Sequence, residues 1–275
     1  VLNSGQYELE SDFKYVWSEN NKYGKEMIFA LLHETGNNAA EIACHFGPSD
    51  HPEVPGRWQY YGVSLPFWRS YDKEDPRREF FYYDYTGDAK RDDQSDYGFH
   101  YMVPEEGVTV VPNDTTKYMQ NVATMKYTYD MISDAYYDGR TICIFRLSDV
   151  ILCKAEIENN LNGPAAALPY LNQIRARAGA PEYGKHNRFP APSTKEAMND
   201  AILKERGYEL VFEFQRRADL IRFGKYEEVV NAHLKKLGIA QPTNVTSSLR
   251  YFPYPLNDAQ LNPNLAAENP SRLPK

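Results

Sequence analysis

Three glutamates follow one another at intervals of four residues: Glu205, Glu209 and Glu213. On a helix this spacing places their carboxylates on one face. Two positioned acids can hydrolyse a glycosidic bond, so one interpretation is a carboxylate active site. The same stretch also carries charged residues at three- or four-residue offsets from these acids, namely Arg206, Arg216, Arg217, Asp219 and Arg222.

A structural ion network is the other interpretation of these acids, and it is the one we favour. Catalytic acids need surroundings that separate their pKa values. Here each acid has an arginine within reach along the predicted helix. We therefore expect alternating charges that satisfy one another, partly buried against the other helices.

The stretch from Trp58 to Tyr101 is unusually rich in aromatic residues, interleaved with Asp, Arg and Gly. Sugar rings have apolar C–H faces and polar edges, so a saccharide site needs exposed aromatic rings beside hydrogen-bonding side chains. Any single ring can instead fill the core of a region short of aliphatic residues. The ligand-binding residues that we predict are Trp58, Tyr60, Tyr61, Trp68, Tyr83 and Tyr85, with Arg57, Gln59 and Asp84 as polar partners.

Other patterns that carry chemistry are weak or missing. The cluster Asp84, Asp88, Asp92, Asp93 and Asp96 has the oxygen ligands that calcium prefers but lacks EF-hand spacing, and we favour a solvated acidic loop. The three cysteines form no CxxC pair, and the histidines form no HExxH motif. Phosphate-loop, dinucleotide and nucleophile-elbow motifs do not occur either. We predict no cofactor and no metal.

Composition narrows the class of protein. The chain has 275 residues, 42% of them hydrophobic and 25% charged, which is typical of a folded domain. A net charge of −7 opposes nucleic-acid binding, and no apolar run approaches the roughly 20 residues of a membrane-spanning helix. The chain begins without Met, which suggests that it starts within a longer gene product.

The two halves of the chain differ in pattern. Residues 1–140 are broken by Gly, Pro and Asp and contain short candidate strands such as 26–32, so we predict a loop-rich, aromatic-rich ligand-binding region. Residues 141–275 form a helical region that ends in an extended, proline-rich strap. Apolar spacing and capping residues predict helices over 145–160, 165–178, 194–224 and 226–237, the first two paired like a tetratricopeptide unit.

Four blocks of the helical half resemble a known family. Arg146–Leu152 followed by Ala155–Glu156, Tyr170–Gly179, Ile202–Gly224, and Phe252–Pro255 with Asn262–Leu265 match, in order, the conserved blocks of the SusD/RagB family. These are surface nutrient-binding lipoproteins of Bacteroidetes. Asp75–Arg77 resembles a short element of the same family.

The resemblance implies a mainly α fold, a SusD-like helical scaffold with TPR-like helix pairs beside a loop-rich region with short β elements. It implies one SusD-type domain that lacks its N-terminal portion. The implied function is non-catalytic binding of glycans at the cell surface, for uptake through a SusC-like TonB-dependent transporter. The lipid anchor to the outer membrane would lie outside this chain.

Three alternatives remain open. A related receptor would bind peptides or another nutrient, because tyrosine-rich surfaces bind peptides as readily as sugars. A TPR-like adaptor would bind only protein. A glycoside hydrolase would need a pair of acids about 5 to 9.5 Å apart in a cleft. The resemblance favours a scaffold role for the acids and arginines of the third helix.

Overall fold

The computed structural model describes residues 1–35, 40–54, 58–87, 98–108, 116–130, 139–237 and 245–268. The chain divides into two compact units, residues 1–214 and residues 215–275. The first unit contains the strands given below and the three longest helices of the described residues, and the described residues of the second unit contain helical elements without strands.

The strands are short and lie in three small sheets. Antiparallel pairing joins β1 to β8, and β7 to both β2 and β3, while β5 pairs antiparallel with β4 and parallel with β6. The predicted strand over 26–32 is confirmed as β1. The bounds are β1 Met27–Leu31, β2 Val63–Ser64, β3 Phe81–Tyr82, β4 Asp84–Thr86, β5 His100–Met102, β6 Thr116–Tyr118, β7 Asn121–Thr124 and β8 Ile142–Arg146.

The described residues of the first unit form five α-helices, of which α3 and α4 make the predicted helical hairpin. Gly163 adopts φ 88° between them, Pro164 begins α4, and Gly179 ends it in the left-handed region at φ 73°. Apolar residues of α3, α4 and α5 are fully buried against one another. The bounds are α1 Ile42–Phe46, α2 Leu65–Trp68, α3 Leu147–Asn162, α4 Pro164–Ala178 and α5 Lys195–Glu209.

The prediction of one continuous third helix over 194–224 is wrong, because α5 ends at Glu209 and α6 begins at Arg216. The Glu209 carbonyl, which would continue the helix, instead accepts hydrogen bonds from Lys126 Nζ and Arg146 Nη2, both at 2.8 Å. Phe212 and Phe214 then adopt left-handed φ values of 62° and 65°. The helix begins as expected. Thr194 caps it, because the Thr194 hydroxyl accepts a hydrogen bond from the Ala197 amide at 3.1 Å.

The second unit comprises α6 Arg216–Arg222, α7 Tyr226–Lys236, α8 Leu256–Leu261 and α9 Pro263–Glu268, with a 3-10 turn at Ser247–Arg250. The predicted wholly extended strap is therefore wrong over α8 and α9, which begin beside Pro255 and at Pro263. Phe252 and Leu261 are 74% and 85% exposed, so these two apolar side chains of the strap lie at the surface. Within the described ranges, no helix combines the length and the apolar character needed to cross a membrane.

Ten ionised side chains of the first unit form what we call the buried ion network. Every member has at most 5% of its side chain exposed. The charges balance, five negative against five positive. The members are Glu26, Asp75, Glu205, Glu209 and Glu213, with Arg77, Lys126, Arg146, Arg175 and Arg177.

Arg146 and Glu209 lie at the centre of this network. Arg146 contacts Glu213 at 2.7 Å, Glu26 at 2.6 Å and Glu209 at 2.8 Å. Burial by itself raises the pKa of Glu209, but Arg177, Arg146 and Arg77 outweigh burial and hold that pKa well below its ordinary value.

The network confirms the structural interpretation of the three glutamates. Their carboxylates are closed to solvent and bound to cations, so no substrate reaches them. Within the expected alternating charges, Arg222 pairs with Asp219 at 3.0 Å, whereas Arg206 pairs with Asp149 at 2.7 Å. The cations of the network come from distant parts of the sequence.

Glu209→Gln keeps the size of this side chain but removes its charge. We expect the free energy of unfolding to fall by about 3–5 kcal/mol, since arginines are left buried without compensation. Urea unfolding measures the change. Glu8→Gln is the control, because its pair with Lys25 is exposed and contributes about 0–1 kcal/mol. Equal small effects of both substitutions would contradict the role of the network.

Stability is also expected to depend on acid through Glu209 and Glu213, whose pKa values the cations lower in the folded chain. Their stabilising contribution is complete above the unfolded pKa of about 4.3 and is lost as pH falls below it. Urea unfolding from pH 7 to pH 3 should show this loss. Glu209→Gln should flatten the slope between pH 5 and pH 3, and an unchanged slope would contradict the assignment.

Candidate functional site

Four rings form an exposed cluster that we call the aromatic patch: Trp58, Tyr60, Tyr61 and His45. The first three are 36%, 65% and 56% exposed. His45 lies among them, its ring centre 5.2 Å from that of Trp58, 5.5 Å from that of Tyr60 and 6.3 Å from that of Tyr61. Trp58 and Tyr60 are 5.4 Å apart. The patch thus presents several ring faces to solvent.

The backbone of residues 58–61 is held against α1. The Trp58 amide donates to the Cys44 carbonyl at 2.7 Å, and the Tyr61 amide donates to the His45 carbonyl at 3.2 Å. Between them Gln59 adopts φ 48°, a left-handed conformation that is strained for a residue with a side chain. Two main-chain bonds therefore fix the positions from which the exposed rings project.

Gln59 and Asn121 add amide groups beside the rings. Gln59 Nε2 donates to Asn121 Oδ1 at 3.1 Å, joining the patch to the first residue of β7. Gly62 faces the same asparagine, and a Cβ added there would lie 2.2 Å from Asn121 Oδ1. A glycine at 62 is thus required for Asn121 to approach Gln59.

Trp68, Tyr83 and Asp84 line a different feature, an open cleft of about 540 Å³ that we call the Trp68 cleft. Trp68 is only 4% exposed. Its indole N–H donates to the Arg78 carbonyl at 3.1 Å, and the Arg78 guanidinium lies 4.0 Å above its ring. Tyr83 packs with its ring centre 5.2 Å from that of Trp68. Trp68 therefore lines the cleft as a largely buried ring and does not present an exposed ring to a ligand.

Tyr85 belongs to neither group. Its hydroxyl donates to Asp50 at 3.0 Å, and its ring stacks on that of Tyr101 at 5.1 Å. Burial, with the charge of Asp50 beside it, raises the pKa of Tyr85 well above its ordinary value. His51 packs against the same ring at 4.8 Å, and burial lowers the pKa of His51.

The predicted site residues therefore lie in two places. Trp58, Tyr60 and Tyr61 belong to the aromatic patch, with Gln59 beside them, whereas Trp68, Tyr83 and Asp84 line the Trp68 cleft. Arg57 lies outside the described residues, as do Asp88, Asp92, Asp93 and Asp96 of the acidic cluster. Asp84 accepts from His100 Nε2 at 2.6 Å. Among the described residues, no group of three or more His, Cys, Asp or Glu is placed to hold a metal ion.

The sequence did not single out His45 or Asn121 as part of this surface. His45 lies in a separate stretch, 13 residues before Trp58, and Asn121 lies 62 residues beyond Gln59. Neither has a pattern of its own, so only the folded chain shows that they adjoin the tryptophan.

The sequence model of the SusD family matches residues 25–271. A SusD-like protein of Formosa agariphila is 39% identical over 120 residues, which cover 44% of this chain and 22% of the relative. The starch-binding protein SusD of Bacteroides thetaiotaomicron is 28% identical over 137 residues, covering 49% of this chain and 22% of that protein.

A solved structure has a similar fold. Surface glycan-binding protein A of Bacteroides thetaiotaomicron, in complex with laminarihexaose, superposes with a TM-score of 0.65 at 21% identity. The matched region covers 94% of this chain and 55% of that one. The chain thus spans about half the length of this solved protein, and at that identity the likeness establishes the fold.

Asn121→Ala removes the acceptor that holds Gln59, and Gly62→Ala forces the Asn121 side chain to move. We expect both to loosen residues 58–61 while the core stays folded. Hydrogen–deuterium exchange should show about tenfold faster exchange of the Trp58 and Tyr61 amides, with α3 unchanged. Asn160→Ala, at an exposed asparagine of α3, is the control. Unchanged exchange in both variants would show that the contact with Asn121 does not order the segment.

Proposed function

The chain belongs to the SusD family, and from that membership we propose that it is a non-catalytic glycan-binding protein whose aromatic patch takes the oligosaccharide. The ligand surface would then lie within residues 1–140, as the sequence predicts. The observation that carries the proposal is the patch itself, with three exposed aromatic rings on a backbone held by hydrogen bonds.

The chemistry of the patch suits a sugar. Exposed ring faces stack on the apolar C–H faces of pyranose rings. The bond between Gln59 and Asn121 uses one atom of each amide, so Gln59 Oε1 and Asn121 Nδ2 can accept and donate with sugar hydroxyls. Since the main chain is already fixed, binding orders few additional groups, which lowers its entropic cost.

Family membership and the burial of the three glutamates both favour binding of a glycan without cleavage of its bonds. The three glutamates that suggested a hydrolase are buried and neutralised. Two of the similar proteins bind glucans: one is a starch-binding protein, and the other was solved in complex with laminarihexaose. Maltohexaose and laminarihexaose are therefore the first probes.

The cellular role that we propose follows the family. The protein would act at the surface of the outer membrane, held there by a lipid anchor, and pass captured glycans to a SusC-like TonB-dependent transporter. Co-purification of the protein with such a transporter from outer membranes tests this arrangement. Recovery of the transporter without the protein would contradict it.

Calorimetric titration with the two hexaoses, with and without Trp58→Ala or Tyr60→Ala, tests the site. We expect Kd to rise about fivefold, since ring stacking contributes on the order of 1 kcal/mol and about 1.4 kcal/mol is a factor of ten. Trp58 is the most exposed of three tryptophans, so its fluorescence should change on binding.

Tyr23→Ala is the matched control, because Tyr23 is 78% exposed and lies outside the patch. Affinities that survive both patch substitutions would place the site elsewhere. Absence of glycan binding together with binding of short peptides would replace the glycan by a peptide ligand. New reducing ends after incubation would contradict the non-catalytic assignment.

A further inference from the structure

We propose that the Trp68 cleft is a second saccharide site, distinct from the aromatic patch, and that it takes an acidic sugar residue such as a uronic acid. This inference rests on the proposed glycan-binding function and names a ligand class for a site that this function does not need. The cleft volume of about 540 Å³ falls within the range of about 300–1,000 Å³ typical of small-ligand pockets.

One short stretch of chain supplies three cations to the cleft: Arg69, Lys73 and Arg78. In the part of the chain that the structure describes, neither Arg78 nor Lys73 has an ion pair with a carboxylate. Arg69 donates to the Pro104 carbonyl across the cleft lining. Arg78 and Lys73 therefore keep donors that no direct ion pair engages within the described residues, in contrast to the cations of the buried ion network.

Arg78 is held against the Trp68 ring beside the cleft. The carbon of its guanidinium lies 4.0 Å from the ring centre, and the Arg78 backbone carbonyl accepts from the Trp68 indole N–H at 3.1 Å. A guanidinium has donors in a planar fork, which binds a carboxylate through both oxygens.

Arg77, the residue before Arg78, helps to fix the position of Arg78 through the buried ion network. Arg77 and Arg78 are consecutive in the 3-10 turn Pro76–Glu79. Arg77 is 2% exposed and binds Asp75 at 2.8 Å and Glu209 at 2.9 Å within the buried ion network. The buried ion network thus anchors Arg77, and with it the turn that carries Arg78 to the lining of the cleft.

The acids that also line the cleft fit the remainder of such a sugar. Asp84 is engaged by His100, and Glu105 and Glu106 lie exposed in a turn where solvent and salt weaken their repulsion. Carboxylates readily accept hydrogen bonds from hydroxyl groups. A uronic acid carries one carboxylate and several hydroxyls, and so matches a lining that has both cations without a direct ion pair and carboxylate acceptors.

Calorimetric titration with tetragalacturonate and with its fully methyl-esterified form tests the charge directly, since the two differ only in the carboxylates. We expect the acid form to bind at least tenfold more tightly, and its affinity to fall as salt is raised. Lys73→Gln and Arg78→Gln should each weaken the acid form about tenfold, with Arg78→Lys restoring only part. Lys73 is exposed, so Lys73→Gln leaves the fold intact.

Lys185→Gln, at a lysine whose side chain is 70% exposed, is the control and should change nothing. Trp58→Ala should leave tetragalacturonate binding within twofold, whereas Lys73→Gln should leave binding of the neutral hexaoses within twofold. Equal binding of acid and ester, no binding of either, or loss in Trp58→Ala alone would overturn the proposal. Failure of the hexaoses to bind the patch is a separate result, because it is measured with different ligands and a different variant.

Discussion

The first unit depends on an exact balance of buried charge. Five carboxylates and five cations are removed from water together, and they come from six separate stretches of the chain. Ionised groups are costly to bury unless every one finds a partner of opposite sign. The start of β1, the turn before β3, the end of β8 and the helices α4 and α5 must therefore all be in place for the buried charges to be neutralised. The same constraint ends α5, because cations occupy the carbonyl that the next helical turn would use.

Elements with local causes were predictable from the sequence. The hairpin of α3 and α4 follows from apolar spacing and from Gly163, Pro164 and Gly179, all of which act on adjacent residues. The paired nature of the glutamates was also visible, because acids and arginines alternate along one stretch. The identities of their partners were not, since Arg146 lies 63 residues before Glu209 and Glu26 lies 120 residues before Arg146. For the same reason the break near Phe212 had no local signal.

Whether an individual aromatic side chain is exposed or buried was the least predictable property of the candidate site. Trp58 and Trp68 are ten residues apart in equally aromatic surroundings, yet one is 36% exposed and the other 4%. What separates them is what lies above each ring: a guanidinium and a tyrosine cover Trp68, whereas a half-buried histidine supports Trp58 at its edge. Residue type predicted that a ring-rich surface exists. Only long-range packing decides which rings form it.

The hydrogen bonds that hold residues 58–61 to α1 influence how the sequence of this surface can change in evolution. They are made by main-chain atoms, so they persist whichever side chains stand at positions 58, 60 and 61. Substitutions there can alter which ligand is preferred without disturbing the scaffold. The segment therefore combines an invariant frame with freely variable contents, the property that makes antibody loops evolvable, and it is the natural position at which to diversify a library of engineered binding proteins on this fold.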